Sequence, residues 1–338
     1  MKIAVLGGSF DPIHEGHLQM AKQVLQRKLA DEVWFMPAGR NPLKDRVVSD
    51  YEIRCKMVLS AIKPYRKMRC STLESELPVP SYTITTVKEL KKRYPEHDFY
   101  WIIGEDQAVQ LDKWKDIDEL KSLIRFIVFE RADSDSSHND DFIWIKDFNC
   151  PASSTKVRQG EFQWISKGVL HIVLEEGLYF DEILRHHVSK YRYEHSVAVA
   201  ETAMHLARVH HVDVMKAYIA SMMHDVCKEM DKQQMKQWMS VCFPEYMDMP
   251  EPVWHGWLAY EKLKRMGIYD KEICSAVYHH VLGDGKGTLD KIIYVADKSN
   301  PKRKHDITEE IKTAEKDLSA AMELIQINYQ KRKAARDE

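Results

Sequence analysis

Hydrophobic positions in the first half of the chain form short runs that alternate with segments of helical periodicity. The run Lys2–Leu6 ends at two glycines, and the fully apolar run Phe99–Ile103 is typical of a central parallel strand. Strands are also predicted over Glu32–Met36 and Phe126–Phe129, and helices over Gly16–Leu29, Asp50–Ile62 (with Asp50 as N-cap), Thr83–Tyr94, Ser153–Gly160 and Val169–Glu176. This alternation predicts an α/β doubly wound parallel sheet that binds ligands at the carboxyl ends of its strands.

From about Asp181 the strand patterns end and only helical periodicity continues. Helices are predicted over Ser189–His210, Lys216–Met230, Trp254–Met266, Lys271–His280, Leu289–Lys298 and Thr308–Ala335. We therefore predict two domains, an α/β domain over residues 1–180 and an all-α domain over residues 181–338. The polar stretch Asp133–Asp141 is predicted to be an exposed loop.

Composition narrows the classes of partner. The 338 residues carry a formal net charge of −2, which favours neither nucleic acid nor an anionic membrane as a partner. No apolar run approaches the roughly 20 residues of a membrane-spanning helix. The six cysteines are widely spread without a Cys-x-x-Cys pair, as expected for reduced thiols in a cytoplasmic protein. The oligomeric state does not follow from the sequence.

The densest motif follows the first strand and opens the first helix. Gly7 and Gly8 let the backbone approach a ligand closely, and a helix N-terminus offers free N–H groups to a phosphate. His14 and His17 lie three residues apart, so they project in similar directions. Cationic or hydrogen-bonding imidazoles there suit a phosphorus that gains negative charge during reaction. The alternative is a glycine-rich turn with two surface histidines.

These residues resemble the signature of the HxGH nucleotidyltransferase superfamily. A second motif, Ser153-Ser154-Thr155-Lys156-Val157-Arg158, is similar to the distal motif of that superfamily, which holds the triphosphate of ATP. The resemblance implies a Rossmann-like domain that uses Mg²⁺ with ATP, in which His14, His17 and Arg158 are catalytic. It implies that the phosphates are held by Gly7, Gly8, Ser9, Phe10, Gly16, Lys44, Ser153, Ser154, Thr155 and Arg158.

The segments between these motifs resemble bacterial nicotinate-nucleotide adenylyltransferase over roughly residues 1–180. This resemblance implies that a phosphate oxygen of nicotinate mononucleotide attacks the α-phosphorus of ATP and that pyrophosphate leaves. The implied nicotinate nucleotide site consists of Tyr82, Thr83, Gly104, Asp106 and Trp114, with Trp114 stacked on the pyridine ring. Two alternatives stay open: these aromatic residues belong to the core or its rim, or the acceptor is a pantetheine or an amide-bearing nucleotide.

The second half is rich in histidine, the commonest metal ligand. Several histidines and aspartates lie in otherwise apolar stretches, where an unpaired polar group is costly to bury. Metal coordination would satisfy them, and the alternative is a set of separately hydrogen-bonded core histidines. The order His…His-Asp…Asp resembles the HD phosphohydrolase superfamily, and the added histidines suggest a binuclear centre bridged by Asp225. The ligands implied are His195, His224, Asp225, His255, His280 and Asp297.

Among HD proteins, residues 185–330 resemble most the bacterial diadenosine tetraphosphate hydrolases, which release ADP. That resemblance implies a catalytic Asp225 and a centre of iron, with manganese or zinc as alternatives. Lys228 and Arg303 are candidate phosphate contacts, or else solvated surface cations.

The sequence therefore supports a bifunctional enzyme with ATP, nicotinate mononucleotide and adenine dinucleotides as ligands. The alternative is an active adenylyltransferase with a non-catalytic, metal-binding regulatory HD module. A further hypothesis is that one domain removes by-products formed near the other.

Overall fold

The computed structural model describes residues 1–39, 49–78, 80, 82–131, 141–303 and 305–337. Over these residues the chain divides into two compact units, one of Met1–Val157 with Gln163–Ile172 and the other of Arg158–Phe162 with Val173–Glu338. The predicted domain boundary at residue 180 stays a prediction. Lys44 and most of the stretch Asp133–Asp141 lie outside the described residues.

The first unit contains a parallel sheet in the order β3-β2-β1-β4-β5-β6. Its strands are β1 Lys2–Gly8, β2 Glu32–Pro37, β3 Met68–Cys70, β4 Asp98–Gly104, β5 Arg125–Arg131 and β6 Ile143–Phe148. Strands β1 and β4 are buried along nearly their whole length, which explains their continuous apolar sequence. The strand order reverses between β1 and β4, where Leu6 pairs with Ile102. Such a switch point opens a crevice for ligands.

In the part of the first half that the structure describes, seven α-helices accompany the sheet along the chain. They are α1 Glu15–Gln26, α2 Tyr51–Ile62, α3 Thr83–Arg93, α4 Glu105–Ala108, α5 Ile117–Leu123, α6 Ser154–Arg158 and α7 Lys167–Glu175. The predicted α/β doubly wound fold is confirmed.

The rest of the described chain is helical, as predicted. The helices are α8 Phe180–His187, α9 Lys190–Val209, α10 Val214–Met223, α11 Lys232–Cys242, α12 Trp254–Arg265, α13 Lys271–His279, α14 Thr288–Lys298, α15 Thr308–Ala314 and α16 Leu318–Asp337. Helices α10, α11 and α13 begin after an aspartate whose side chain accepts backbone N–H groups of the first turn. None of the described helices has the length and apolar character to cross a bilayer, and all six cysteines are free thiols.

Two predicted helices of the second half were wrong in extent. The helix predicted to reach Met230 ends at Met223, because the backbone then turns tightly with N–H groups bonded three residues back. The helix predicted over Thr308–Ala335 is two helices, since Asp317 caps a new one by accepting from Ser319 N at 2.8 Å. Strands β3 and β6 and helices α8 and α11 were not predicted.

Candidate functional site

The phosphate motif lies where β1 ends and α1 begins. Phe10 is buried with a φ of 47°, and a cis peptide joins Asp11 to Pro12. His14 occupies the N-cap position of α1, and its backbone N–H donates to Nδ1 of His17 at 3.2 Å. The two imidazole rings lie 3.8 Å apart between centroids. The structure thus brings together the two histidines that the motif singled out.

The absence of a side chain at Gly16 leaves room for the His14 ring. A Cβ atom at residue 16 would lie 3.0 Å from both Cε1 and Nδ1 of His14. Burial lowers the pKa of His14 to about 4, so this imidazole is neutral at pH 7. Of the two possibilities that the sequence left open for His14, hydrogen bonding is therefore favoured over positive charge.

The distal motif touches the first motif through Ser154. Its Oγ donates to the carbonyl oxygen of Pro12 at 2.9 Å. Ser153 caps α6, since its Oγ accepts from Lys156 N at 3.2 Å, and Thr155 is exposed. Arg158 is buried, and its Nε donates to both carboxylate oxygens of Glu182 at 3.1 and 3.0 Å. That Arg158 also serves the phosphate site stays a prediction.

A buried arginine that the sequence reasoning missed supports the motif. Arg54 on α2 is 1% exposed, and its Nη1 donates to the carbonyl oxygen of Ser9 at 2.7 Å. The same guanidinium donates to the carbonyl oxygen of Ser49 at 2.8 Å. The signal was present, because Arg54 lies on the same helical stripe as the buried Met57 and Val58.

The predicted nicotinate nucleotide residues lie along the ends of β4 and α3. Tyr82 and Thr83 start α3, Gly104 ends β4, and Asp106 follows in α4. Tyr82 and Trp114 are both half-buried against one hydrophobic cluster of the first unit. Each aromatic residue therefore contributes to the core and also presents part of its surface. Their contact with a nucleotide stays a prediction.

The predicted metal ligands converge from five helices of the second unit. His195 lies on α9, the pair His224 and Asp225 follows α10, His255 lies on α12, His280 follows α13 and Asp297 lies on α14. All six are buried, none more than 7% exposed. Two sets of three residues each bring their ligand atoms within 4.8 Å of one another. One set is His195, His224 and Asp297, and the other is His224, Asp225 and His280.

Asp225 lies between two groups of histidines. Its Oδ2 is 3.9 Å from His195 Nε2 and 3.7 Å from His224 Nε2. Its Oδ1 is 3.1 Å from His255 Nε2 and 3.8 Å from His280 Nε2. One carboxylate therefore faces a different histidine pair with each oxygen, the arrangement expected of a bridging ligand.

Backbone carbonyls orient three of these rings. The Nδ1 atom of His224 lies 2.5 Å from the carbonyl oxygen of Ser221. The Nδ1 atoms of His255 and His280 lie 2.9 Å from the oxygen of Pro252 and 2.7 Å from the oxygen of Val277, respectively. A proton on Nδ1 leaves Nε2 as the metal-binding atom. Burial lowers the pKa of all three, that of His224 to about 4. Among the described residues, the buried His224 Nε2 has no hydrogen-bond partner, which fits a metal ligand.

Of the residues that the structure describes, four cations contact the ligand cluster. The predicted Lys228 lies 3.1 Å from His255 Nε2, and the predicted Arg303 lies 2.9 Å from Asp297 Oδ1. The sequence reasoning missed Arg192, 2.8 Å from Asp225 Oδ2, and Lys298, 2.7 Å from Asp297 Oδ2. Burial acts to raise the pKa of Asp297, but Lys298 and His195 outweigh it and hold that pKa well below its ordinary value. Positive charge therefore borders the cluster at both carboxylates.

Comparison with known proteins divides the chain in the same order. A family described as cytidylyltransferase-like matches residues 5–160, and the family described as HD domain matches residues 192–301. The HD match implies a divalent-metal-dependent hydrolase domain, in agreement with the ligand cluster.

Two relatives match along nearly the whole chain. A Mycoplasma pneumoniae protein named "probable nicotinate-nucleotide adenylyltransferase/Ap4A hydrolase" is 30% identical over 95% of this chain and 96% of its own length. A Mycoplasma genitalium protein of the same name is 29% identical over 97% of both chains. A shorter Bacillus pumilus protein, named "probable nicotinate-nucleotide adenylyltransferase", is 38% identical over 53% of this chain and 98% of its own.

Proposed function

This chain belongs to the family of nicotinate-nucleotide adenylyltransferase/Ap4A hydrolases, and we propose that it carries both activities in that name. The first domain transfers the adenylyl group of ATP to nicotinate mononucleotide, and the second hydrolyses diadenosine tetraphosphate to ADP. A cytoplasmic location fits the free cysteines. For the hydrolase, the proposal rests above all on Asp225, whose two oxygens face separate histidine pairs.

For adenylyl transfer, the chain supplies position and hydrogen bonds. The α1 N-terminus and the neutral His14 border the same turn, so they can donate to phosphate oxygens of ATP as negative charge grows there. Ser154 bonds to Pro12, which ties the start of the distal motif to the first motif. The acceptor phosphate is the nucleophile, so no side chain needs to form a covalent intermediate. Mg²⁺ enters with ATP and neutralises its phosphates.

For hydrolysis, the six ligands are His195, His224, Asp225, His255, His280 and Asp297. Four imidazoles and two carboxylates suit iron, manganese or zinc, and we propose iron. Two such ions supply a Lewis acid for phosphate oxygens and lower the pKa of a water molecule. Arg192, Lys228, Lys298 and Arg303 border the cluster and attract the polyphosphate chain to it.

A double dissociation on the full chain tests the two assignments. His17→Asn is expected to reduce adenylyl transfer by about 100-fold or more and to leave hydrolysis unchanged. Asp225→Asn is expected to abolish hydrolysis and to leave transfer unchanged. His186→Asn, a change of an exposed histidine on α8, is the matched control. Transfer is assayed with ATP and either nicotinate or nicotinamide mononucleotide, and hydrolysis is assayed as release of ADP from diadenosine tetraphosphate.

The alternatives give different results. A chain that binds iron but does not hydrolyse diadenosine tetraphosphate would support a regulatory HD module instead. A preference for nicotinamide mononucleotide would move the acceptor assignment away from nicotinate. Metal analysis of the purified wild-type protein tests the iron assignment directly.

A further inference from the structure

A large cavity in the second unit involves a helix that no part of the proposed function uses. It has a volume of about 1250 Å³ and is lined by Tyr191 of α9, Tyr294 and Lys298 of α14, by Lys302, Arg303 and His305, and by residues 325–327 and 329–333 of α16. We call it the α16 cavity. Pockets for small molecules typically measure about 300–1000 Å³, so there is room here for more than a mononucleotide. The matched HD domain ends at residue 301, before α16 begins.

The α16 cavity reaches the ligand cluster at two points. Lys298 and Arg303 line the cavity, and both contact the carboxylate of Asp297, at 2.7 and 2.9 Å. Val281 also lines it and directly follows the ligand His280 in the chain. The cavity and the ligand cluster therefore share Lys298 and Arg303, so a polyphosphate bound in the cavity would meet cations that also contact Asp297.

The lining suits a polyphosphate. Cations line it from the ligand cluster to the far end of α16, namely Lys298, Lys302, Arg303, Lys331, Arg332 and Lys333. No carboxylate is among the described residues that line it. Four of these cations pair with carboxylates outside the lining. Lys298 and Arg303 contact Asp297, Lys302 pairs with Glu194, and Arg332 approaches Glu310 at 3.7 Å. An anionic chain in the cavity would meet positive charge along its length.

The lining also suits a flat base. Tyr329 on α16 is 59% exposed and Tyr191 on α9 is 75% exposed, although both border the same cavity. Exposed aromatic rings are stacking surfaces for nucleobases, and such stacks tolerate different bases. Cations and exposed aromatic rings in one cavity match a phosphate chain that ends in a nucleoside.

We propose that the α16 cavity binds the distal half of a dinucleoside polyphosphate, with Tyr329 against the base and Lys333 near the distal phosphates. This rests on the proposed hydrolase function and adds a subsite to it. The cavity extends beyond the ligand cluster, so the proposed substrate class is nucleotides with a second nucleoside rather than simple phosphate esters.

Kinetics of the full, metal-loaded chain test the subsite. Tyr329→Ala is expected to raise the KM for diadenosine tetraphosphate by about fivefold or more, since one base stack contributes at least about 1 kcal/mol, and to change kcat little. Tyr269→Ala removes another exposed tyrosine of the same unit and is expected to change neither constant. In the same way Lys333→Glu is expected to raise KM, whereas the exposed Lys286→Glu is not. Equal constants for Tyr329→Ala and Tyr269→Ala would overturn the proposal.

Photolabelling gives a readout that needs no turnover. An 8-azidoadenosine derivative of diadenosine tetraphosphate is irradiated with the full chain, and labelled peptides are identified by mass spectrometry. Label on the peptide that contains Tyr329 is expected, and its loss in Tyr329→Ala at unchanged metal content supports the subsite. Label in the second unit with none on the α16 peptide would overturn the subsite. A wild-type chain that labels at Tyr329 but hydrolyses nothing would refute the hydrolase assignment alone.

Discussion

At the scale of single residues, the protonation of His14 couples folding to pH. Its pKa is about 4 in the folded chain because it is buried, against an ordinary value of 6.5. Between these two pH values only the unfolded chain binds the proton. This group therefore leaves the free energy of unfolding unchanged above pH 6.5 and lowers it as the pH falls toward 4.

We expect this one group to cost roughly 2 kcal/mol of unfolding free energy between pH 7 and pH 5. The measurement is urea unfolding of the wild-type chain and His14→Gln at both pH values. The wild-type protein should lose more stability than the variant over this interval. Equal losses would mean that His14 titrates normally in the folded state.

Gly16 provides a second prediction at this scale. A methyl group at residue 16 would come within 3.0 Å of the His14 ring and force it to move. Because small displacements of a catalytic group are costly, Gly16→Ala is expected to lower kcat for adenylyl transfer by about tenfold or more. The hydrolase activity of the same preparation is the internal control. Full transferase activity in Gly16→Ala would show that the ring position is unimportant.

At the scale of elements, the cap of α10 supports the metal ligands that follow this helix. Asp213 accepts from the backbone N–H groups of Met215 and Lys216 at 2.8 and 3.1 Å. Asp213→Ala should therefore destabilise the second unit by about 1 kcal/mol, whereas Asp213→Ser should retain most of the cap. Urea unfolding followed by far-ultraviolet circular dichroism measures both. Identical midpoints for the two variants would contradict this role for Asp213.

The long and strongly periodic elements could be predicted from the sequence, and the short ones could not. Strand β1 is a buried apolar run, which local sequence specifies. Strand β3 is Met-Arg-Cys, three residues whose extended form depends on pairing with β2. The break between α15 and α16 depends on Asp317, which looks like any helical surface acid until its bonds to Ser319 and Ala320 are seen.

Some residues of the candidate sites could likewise be predicted from the sequence, and others could not. Residue type and spacing singled out His14 and His17, and the resemblance to HD phosphohydrolases supplied the six buried metal ligands. Arg192 and Lys298 could not be singled out, since a cation on a helix is usually solvated and only the fold places these beside Asp225 and Asp297. Arg54 was missed for the opposite reason, because its place in the core goes against the general rule for charged residues.

At the scale of the whole molecule, we expect metal removal to separate the two activities. The ligand cluster is buried in the second unit, so ions bound there stabilise that unit by mass action. Dialysis against a chelator followed by Mg²⁺ should restore adenylyl transfer but not hydrolysis. The stripped chain should also unfold at lower temperature in calorimetry, with iron restoring the original transition. Hydrolysis that returns with Mg²⁺ alone would argue against a dedicated transition-metal centre.

The reversal of strand order between β1 and β4 has a consequence for how substrate preference can change. The glycines that end β1 and the glycine that ends β4 lie on neighbouring strands, yet they lead into different helices, α1 and α4. In the proposed sites, donor and acceptor are thereby bound by two separate segments of the chain. We expect that substitutions after β4 can change the preferred acceptor while the ATP-binding residues after β1 stay the same. Relatives with different acceptors should therefore vary around Gly104 and Trp114 before they vary around Gly8.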